Sequence, residues 1–343
     1  MAINTPNSEP GDFGRWWMRT TYTRAAYMYL VPSFVIMSVI TFYPLLYQVW
    51  MSFTSYDITN LRLNSDPPEW VWFKNYADIL SGALSAKVTN FDFLRILSFN
   101  LIWTFTNVPI HVVVGVLIAV LLNTKGLWFK GVYRAIYILP IVLPTLVIAT
   151  VWRNMFDQTN GAITLGMISL GGLFNIPPEV FRIRWFESLD PPFQWFLPGQ
   201  PLPWSFYAML IANIWLGWPF MTIVATGALQ SIPSDLYEAA SIDGASGVQQ
   251  FFNITVPLIR PAMVPAAMYG IITTFNLFNF IYMMSRGGPL GQTEILVTQA
   301  FKIVNAQQLY GVAAAFSVLI FFILLGLTLL TNAITKGTEH YDI

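Results

Sequence analysis

The segment SIPSDLYEAASIDGASGVQQFFNITVPLIRP, residues 231–261, is far less apolar than the sequence on either side of it. Pro233 suits the first turn of a helix, and Glu238 follows where the positive end of a helix dipole favours a carboxylate. Gly244 is placed to end that helix, and residues 248–254 can form a second one. The segment therefore predicts two short helices joined by a glycine-containing turn.

Apolar and small side chains recur along the first of these helices, at Leu236, Ala239, Ala240 and Ile242. Small alanines let a helix sit deep in a groove, and an acidic residue in the first turn can pair with a basic patch on another protein. We therefore expect this hairpin to dock against a partner.

The flanking sequence indicates a membrane protein. Apolar residues make up 55% of the 343 residues, charged residues make up 10%, and the mean hydropathy is +0.57. A spanning helix needs about 20 mostly apolar residues. Six stretches qualify: 28–47, 97–122, 135–152, 206–229, 261–284 and 311–334. Prolines within these stretches are tolerated in a bilayer when neighbouring groups satisfy the freed carbonyls. The sequence thus predicts an all-α fold with six transmembrane helices.

Basic residues set the expected orientation, because Lys and Arg are retained in short cytoplasmic loops. Arg24 precedes the first span, and Lys125, Lys130 and Arg134 crowd the link between the second and third. The N-terminus does not resemble a cleaved signal peptide, because charged residues run to Arg24 and the apolar stretch after them is too long. The predicted organisation is a cytoplasmic segment 1–26, a first transmembrane helix 27–52, an extracytoplasmic loop 53–96, a five-helix core 97–334 containing the cytoplasmic loop 231–260, and a cytoplasmic tail 335–343.

Composition argues against several functions. The chain has no cysteine and only two histidines, His111 and His340, so a metal site is not expected. Lys plus Arg and Asp plus Glu number 17 each, which gives no argument for nucleic acid. No phosphate-binding G-x-x-x-x-G-K-[ST] pattern occurs, so any ATP hydrolysis belongs to another polypeptide. We expect no cofactor and no enzymatic activity.

The string EAASIDGASGVQQFFNITVP, residues 238–257, resembles the signature loop of permease subunits of binding-protein-dependent ABC importers. That signature is Glu-Ala-Ala, three residues, Gly, nine residues, Ile, one residue, Leu and Pro. Val256 replaces the usual Leu. The resemblance implies the type I importer permease fold and a loop that docks into a cleft of the ATPase subunit. It assigns these coupling residues: Glu238, Ala239, Ala240, Asp243, Gly244, Ile254 and Pro257.

The resemblance extends from about Tyr133 to the C-terminus. The strings YRAIYILP, NIWLGWPFM, FNLFNFIYMMSRGGP, TEILVTQAFK and YGVAAAFSVLIF are similar to the sugar branch of these permeases, and most to the larger permease subunit of maltose transporters. This implies a bacterial inner-membrane protein with both termini in the cytoplasm. Its expected partners are an ATPase dimer, a second permease, an extracytoplasmic solute-binding protein and lipid. The expected cargo is maltose, trehalose or a related oligosaccharide.

The sugar site of these relatives falls on the fourth and fifth spans here. The matching positions are Asn213, Gly217, Phe275, Asn276 and Asn279. Two positions depart, because Phe220 stands where the relative has Tyr and Ile272 where it has Ser. The residues support the assignment independently, since Asn213, Gly217 and Phe220 have i, i+4, i+7 spacing and Asn276 and Asn279 have i, i+3 spacing, so each set shares one helix face. Amides can pair with hydroxyls, and neither span carries a charge that a charged substrate would need.

The sequence leaves other roles open for several of these residues and for the chain as a whole. The asparagines can instead bridge helices. The tryptophans fall mostly near span ends, which favours interfacial anchoring, although one or two could stack on a sugar. His111 is interpreted as a neutral packing residue remote from the asparagines. An ion-coupled carrier, an intramembrane enzyme and an assembly factor are the competing functions. A carrier usually places ionisable groups at mid-membrane, and an enzyme needs a catalytic constellation; the spans show neither.

Overall fold

The computed structural model of the chain describes residues 12–124, 126–193 and 201–335, with side chains from Arg24 onwards except Ala26. Expectations for residues 1–11, Lys125 and the tail 336–343, including His340, lie outside the described residues. Within the described ranges the regular structure is helical and contains no β-strand, which confirms the predicted all-α class. The helices are α1 Asp12–Met37, α2 Tyr43–Met51, α3 Lys74–Leu80, α4 Phe93–Asn123, α5 Lys130–Val142, α6 Thr145–Met155, α7 Ala162–Gly172, α8 Trp204–Gln230, α9 Ser234–Ile242, α10 Gly247–Gln250, α11 Val256–Phe275, α12 Phe278–Met284, α13 Leu296–Asn305 and α14 Tyr310–Thr335.

Five continuous helical stretches are long and apolar enough to cross a membrane. They are Tyr27–Met51, Phe93–Asn123, Trp204–Gln230, Gly247–Phe275 and Tyr310–Thr335. Two of them contain a π-helical turn, Ser38–Phe42 and Phe251–Thr255, each shortly before a proline. A π-turn shifts the hydrogen-bond ladder by one residue, which accommodates the N–H that Pro44 and Pro257 lack.

The third predicted span, 135–152, is bent rather than straight. Helices α5 and α6, which cover the predicted stretch 135–152, meet at 100° and form one span only if they are taken together. Leu143 at the bend is extended, with φ −75° and ψ 138°. Its neighbour Pro144 explains this conformation, because the residue before a proline is disfavoured in the helical region.

The fifth predicted span, 261–284, also differs from a single helix. Helix α11 ends at Phe275, and α12 starts after Leu277, whose φ and ψ are −76° and 60°. At its other end, α11 continues without interruption from the hairpin through Pro257. The prediction that the second hairpin helix ends before this proline is therefore wrong, because the π-turn carries the helix past it.

Helices α4 and α8 form the centre of the molecule, and α11 packs on both. Their close approach depends on Gly115, where an added Cβ would stand 2.5 Å from the Cβ of Met221. Thr222 Oγ1 donates to the Gly115 carbonyl at 3.1 Å. This contact fixes the register of the two helices, so that side chains from both meet at a defined depth.

A buried asparagine on α4 fastens the broken helix to the rest of the fold. Asn100 Nδ2 donates to the Phe275 carbonyl at 3.1 Å, and Asn100 Oδ1 accepts from the Leu296 N–H at 2.9 Å. One side chain thereby satisfies the end of α11 and the start of α13, both of which lack helical partners for these groups.

Candidate functional site

A cavity of about 270 Å³ lies between α4, α8, α11 and the bend of α5 and α6. Both helix breaks border it, since Leu143 and Leu277 contribute to its wall. Interrupted helices at membrane depth are tolerated where they line a cavity, and they are typical of substrate sites in transporters. The polar side chains that line it are His111, Thr145, Asn213, Tyr269, Thr273 and Thr274.

Asn213 is held inside a buried polar network. It is 2% exposed, and its Nδ2 donates to Asn107 Oδ1 at 2.8 Å. His111 Nε2 lies 2.9 Å from the Asn213 backbone oxygen, and because a carbonyl only accepts, Nε2 is the donor. The interpretation of His111 as remote from the asparagines is therefore wrong. The register between α4 and α8, which spacing along one helix does not reveal, brings them together.

The His111 ring packs against α8 at Gly217. A Cβ added at this position would overlap ring atoms Cε1, Nδ1 and Nε2 of His111. Both residues line the cavity. Glycine is therefore the residue that allows the imidazole to lie against the α8 backbone.

Phe220 lies one turn further along and packs against Tyr269 of α11, with ring centroids 5.4 Å apart. Tyr269 and Thr273 place two hydroxyl groups at the cavity, on the helix that also carries Ile272. Relative to the sugar permeases that the sequence resembles, this chain lacks two hydroxyls, at Phe220 and Ile272. The structure supplies hydroxyls from Thr273, which is adjacent to Ile272 in sequence, and from Tyr269, which the sequence does not single out.

Three predicted site residues do not line the cavity. Phe275 is fully buried in the core beside Ile96 and Phe316. Asn276 follows the last residue of α11, where its Nδ2 donates to the Ile272 carbonyl at 3.2 Å. Asn279 is exposed on α12. The spacing argument for Asn276 and Asn279 assumed one helix, and the break after Phe275 removes that assumption.

Within the part of the chain that the structure describes, the cavity lining carries no carboxylate, lysine or arginine. Hydroxyl, amide and imidazole groups stand beside two aromatic faces. This combination suits a neutral ligand rich in hydroxyl groups, because each hydroxyl can donate to one group and accept from another. The described residues include no cluster of three or more His, Asp or Glu side chains that could hold a metal ion.

The hairpin of residues 231–260 forms a second candidate site. Helix α9 ends at Ile242, and Gly244 reverses the chain with φ +80°. Tyr237 OH and Thr255 Oγ1 lie 2.9 Å apart and tie α9 to the π-turn before α11. Gln250 Nε2 donates to Ser241 Oγ at 2.9 Å. The hairpin is therefore braced internally and connected rigidly to α11, which lines the cavity.

Its outer surface combines apolar and acidic side chains. Six large apolar side chains of the hairpin are exposed: Leu236 by 44%, Ile242 by 87%, Val248 by 68%, Phe252 by 63%, Val256 by 37% and Leu258 by 36%. Glu238, Ala239, Asp243, Gly244 and Pro257 are exposed as well, whereas Ala240 and Ile254 are half-buried. Arranged this way, the surface can bury apolar area against a partner while its carboxylates meet basic groups.

Comparison with known proteins adds an independent finding. Residues 111–338 match the family described as "Binding-protein-dependent transport system inner membrane component". A galactooligosaccharides transport system permease protein of Bacillus subtilis is 31% identical over 326 residues, which cover 92% of this chain and 71% of the relative. A trehalose/maltose transport system permease protein of Thermococcus litoralis is 30% identical over 308 residues, which cover 89% of this chain and 92% of the relative.

Among solved structures, a bacterial ABC transporter involved in the import of the acidic polysaccharide alginate superposes with a TM-score of 0.72. The match covers 95% of this chain and 100% of that chain at 17% sequence identity. At this identity the likeness shows a shared fold alone.

Proposed function

This chain belongs to the family of inner-membrane components of binding-protein-dependent transport systems, and on that premise we propose that it carries a neutral sugar across the bacterial cytoplasmic membrane. Family membership and the predicted type I ABC importer permease fold are both confirmed. The observation that carries the choice of cargo is the cavity between α4, α8 and α11. Its lining offers uncharged donors, acceptors and aromatic faces at a break in two helices.

The proposed mechanism is alternating access. The sugar arrives from an extracytoplasmic binding protein and enters the cavity while the helices face outward. Closure of an ATPase dimer then moves the hairpin of residues 231–260. Because the hairpin continues directly into α11, which contributes Tyr269 and Thr273 to the cavity wall, its displacement changes the cavity itself.

The proposed partners follow from the two surfaces. The ATPase dimer binds the apolar and acidic face of the hairpin through a groove with basic groups. A second permease completes the passage, since one chain encloses only about 270 Å³ here, below the range of roughly 300–1,000 Å³ usual for ligand pockets. Both termini and the hairpin lie in the cytoplasm. ATP hydrolysis is performed by the separate ATPase, as is usual in this family.

Uptake in cells tests the transport function. We expect deletion of the gene to abolish accumulation of at least one of radiolabelled maltose, trehalose and galactobiose, and plasmid-borne wild-type gene to restore it. Accumulation should stop when ATP is depleted with the proton gradient intact. Sugar uptake that persists under ATP depletion would indicate an ion-coupled carrier, and no dependence on the gene for any of the three sugars would refute the proposed cargo.

A charge reversal tests the role of the hairpin. Glu238→Lys should abolish uptake while leaving the amount of protein in the membrane unchanged, because the lysine would face the basic groups expected in the ATPase groove. The exposed outer residue Asp66, changed in the same way, is the control and should retain uptake. Normal uptake by Glu238→Lys at normal expression would remove the coupling role.

A further inference from the structure

The cavity contains a histidine, His111, whose second ring nitrogen has no hydrogen-bond partner among the residues that the structure describes. We propose that His111 binds the transported sugar directly, with Nδ1 accepting a hydrogen bond from one sugar hydroxyl. This inference rests on the proposed function and goes beyond it, because it assigns a specificity-determining contact to α4, a helix to which the sequence resemblance gives no part in sugar binding.

The tautomer follows from the observed contact. His111 Nε2 donates to the Asn213 carbonyl at 2.9 Å, so this nitrogen carries a hydrogen. Among the described residues no carboxylate lines the cavity to balance an imidazolium, and His111 is only 4% exposed. A neutral ring with its hydrogen on Nε2 has a lone pair on Nδ1. Nδ1 is therefore an acceptor that cannot donate.

The position of the ring leaves this acceptor available. Within the described residues, the contact with Asn213 is the hydrogen bond that the His111 ring makes. A Cβ built at Gly217 would overlap Nδ1, and His111 and Gly217 both line the cavity. A larger residue at 217 would cover the ring. The Asn213 carbonyl therefore holds Nε2, and the absence of a side chain at Gly217 leaves Nδ1 uncovered on that side.

A hydrogen-bond acceptor that cannot donate distinguishes between sugars by whether they carry a hydroxyl at the matching position. It favours a ligand with a hydroxyl at the matching place and disfavours an analogue in which hydrogen replaces that hydroxyl, because the buried nitrogen then stays unpaired. One such hydrogen bond corresponds to a preference of about tenfold. A purely structural His111, serving only to join α4 to α8, would affect every sugar alike.

Monodeoxy analogues separate the two roles. The probes are whichever of maltose, trehalose and galactobiose the wild type transports, together with the set of its monodeoxy forms. We expect the wild type to transport one analogue about tenfold more slowly than the parent sugar, and His111→Phe to transport that analogue and the parent at equal rates. His111→Asn, whose amide oxygen can occupy the place of Nδ1, should keep the preference.

The control is Thr222→Val. Thr222 also joins α8 to α4 through a backbone carbonyl, but it does not line the cavity. This variant should retain the full wild-type preference. If His111→Phe lowers transport of the parent and all analogues by one common factor, His111 is a structural link and the inference is overturned.

A spectroscopic measurement covers the case in which His111→Phe does not insert. The chain has two histidines, so a His340→Gln protein labelled with ¹⁵N-histidine and assembled with unlabelled partners reports His111 alone. The Nδ1 resonance should be that of an unprotonated nitrogen and should shift when the transported sugar is added. A protonated Nδ1, or no shift with a sugar that the same protein transports, would overturn the inference. A wild type that transports none of the three sugars would instead defeat the proposed function.

Discussion

At the proposed sugar site, Gly217 has no side chain, and this leaves room for the His111 ring. In Gly217→Ala the new Cβ would overlap the His111 ring, which must then move away from the Asn213 carbonyl. Overpacking of this kind costs about 1–3 kcal/mol. We expect sugar uptake to fall at least about fivefold with normal amounts of protein in the membrane.

Gly227 provides the matched control on the same helix, because a Cβ there would meet no atom within 4 Å. Gly227→Ala should transport like the wild type. Equal uptake by the two alanine variants would show that the His111 ring need not lie against α8.

At this scale the sequence predicted some of the site and missed the rest for a physical reason. Helical spacing placed Asn213, Gly217 and Phe220 together correctly, because α8 is continuous. Tyr269 and His111 join them from other helices, and nothing in local spacing encodes the register between helices. An ionisable residue in an apolar span was the available signal for His111, since such residues are usually functional.

The turn at Gly244 is the element on which the proposed coupling depends. Its φ of +80° lies in the left-handed region, which costs a non-glycine residue about 1 kcal/mol or more. That energy corresponds to about a fivefold shift between conformations. Gly244→Ala should therefore lower sugar uptake and sugar-stimulated ATP hydrolysis by the assembled importer about fivefold.

Gly247, three residues further on, is a glycine without a positive φ and with open space around its Cβ position. Gly247→Ala should leave both rates unchanged. Loss of activity in both variants would point to sterically restricted docking, and no loss in either would show that the turn geometry is not limiting.

Asn100 is expected to hold three elements together. In Asn100→Leu the Phe275 carbonyl and the Leu296 N–H both lose their partner inside the fold, at about 1–3 kcal/mol for each buried group left unpaired. We predict a lower melting temperature in detergent. Thr104→Val on the same helix removes only a hydroxyl bonded to the Asn100 carbonyl one turn away and should shift the melting temperature much less.

If the two variants melt at the same temperature, Asn100 is not the link between α4, α11 and α13.

Hydropathy predicts where the long helices lie but not where they bend or break. Each predicted apolar stretch overlaps a long helix or the bent pair of α5 and α6, but the stretch 261–284 missed the break after Phe275. Pro109 and Pro219 lie inside continuous helices, while α6 begins directly after Pro144 at a 100° bend. The difference comes from what packs around each proline, and those neighbours are remote in sequence.

The whole molecule exposes surfaces that require a bilayer and partners. The most apolar part of the stretch Tyr27–Met51 contains no buried residue, so it needs lipid or another chain against it. The hairpin presents Ile242 and Val248 at the far end of α11 from the break at Asn276. A chain built this way can transmit a movement from the hairpin to the cavity through a single helix.

The central claim is that the hairpin faces the cytoplasm, where an ATPase can bind it. Because the chain has no cysteine, Ile242→Cys and Leu63→Cys each introduce a single thiol, at positions that are 87% and 95% exposed. A membrane-impermeant maleimide should label Leu63→Cys in intact spheroplasts and label Ile242→Cys only after the membrane is opened. Labelling of Ile242→Cys in intact spheroplasts would place the hairpin outside and contradict the account.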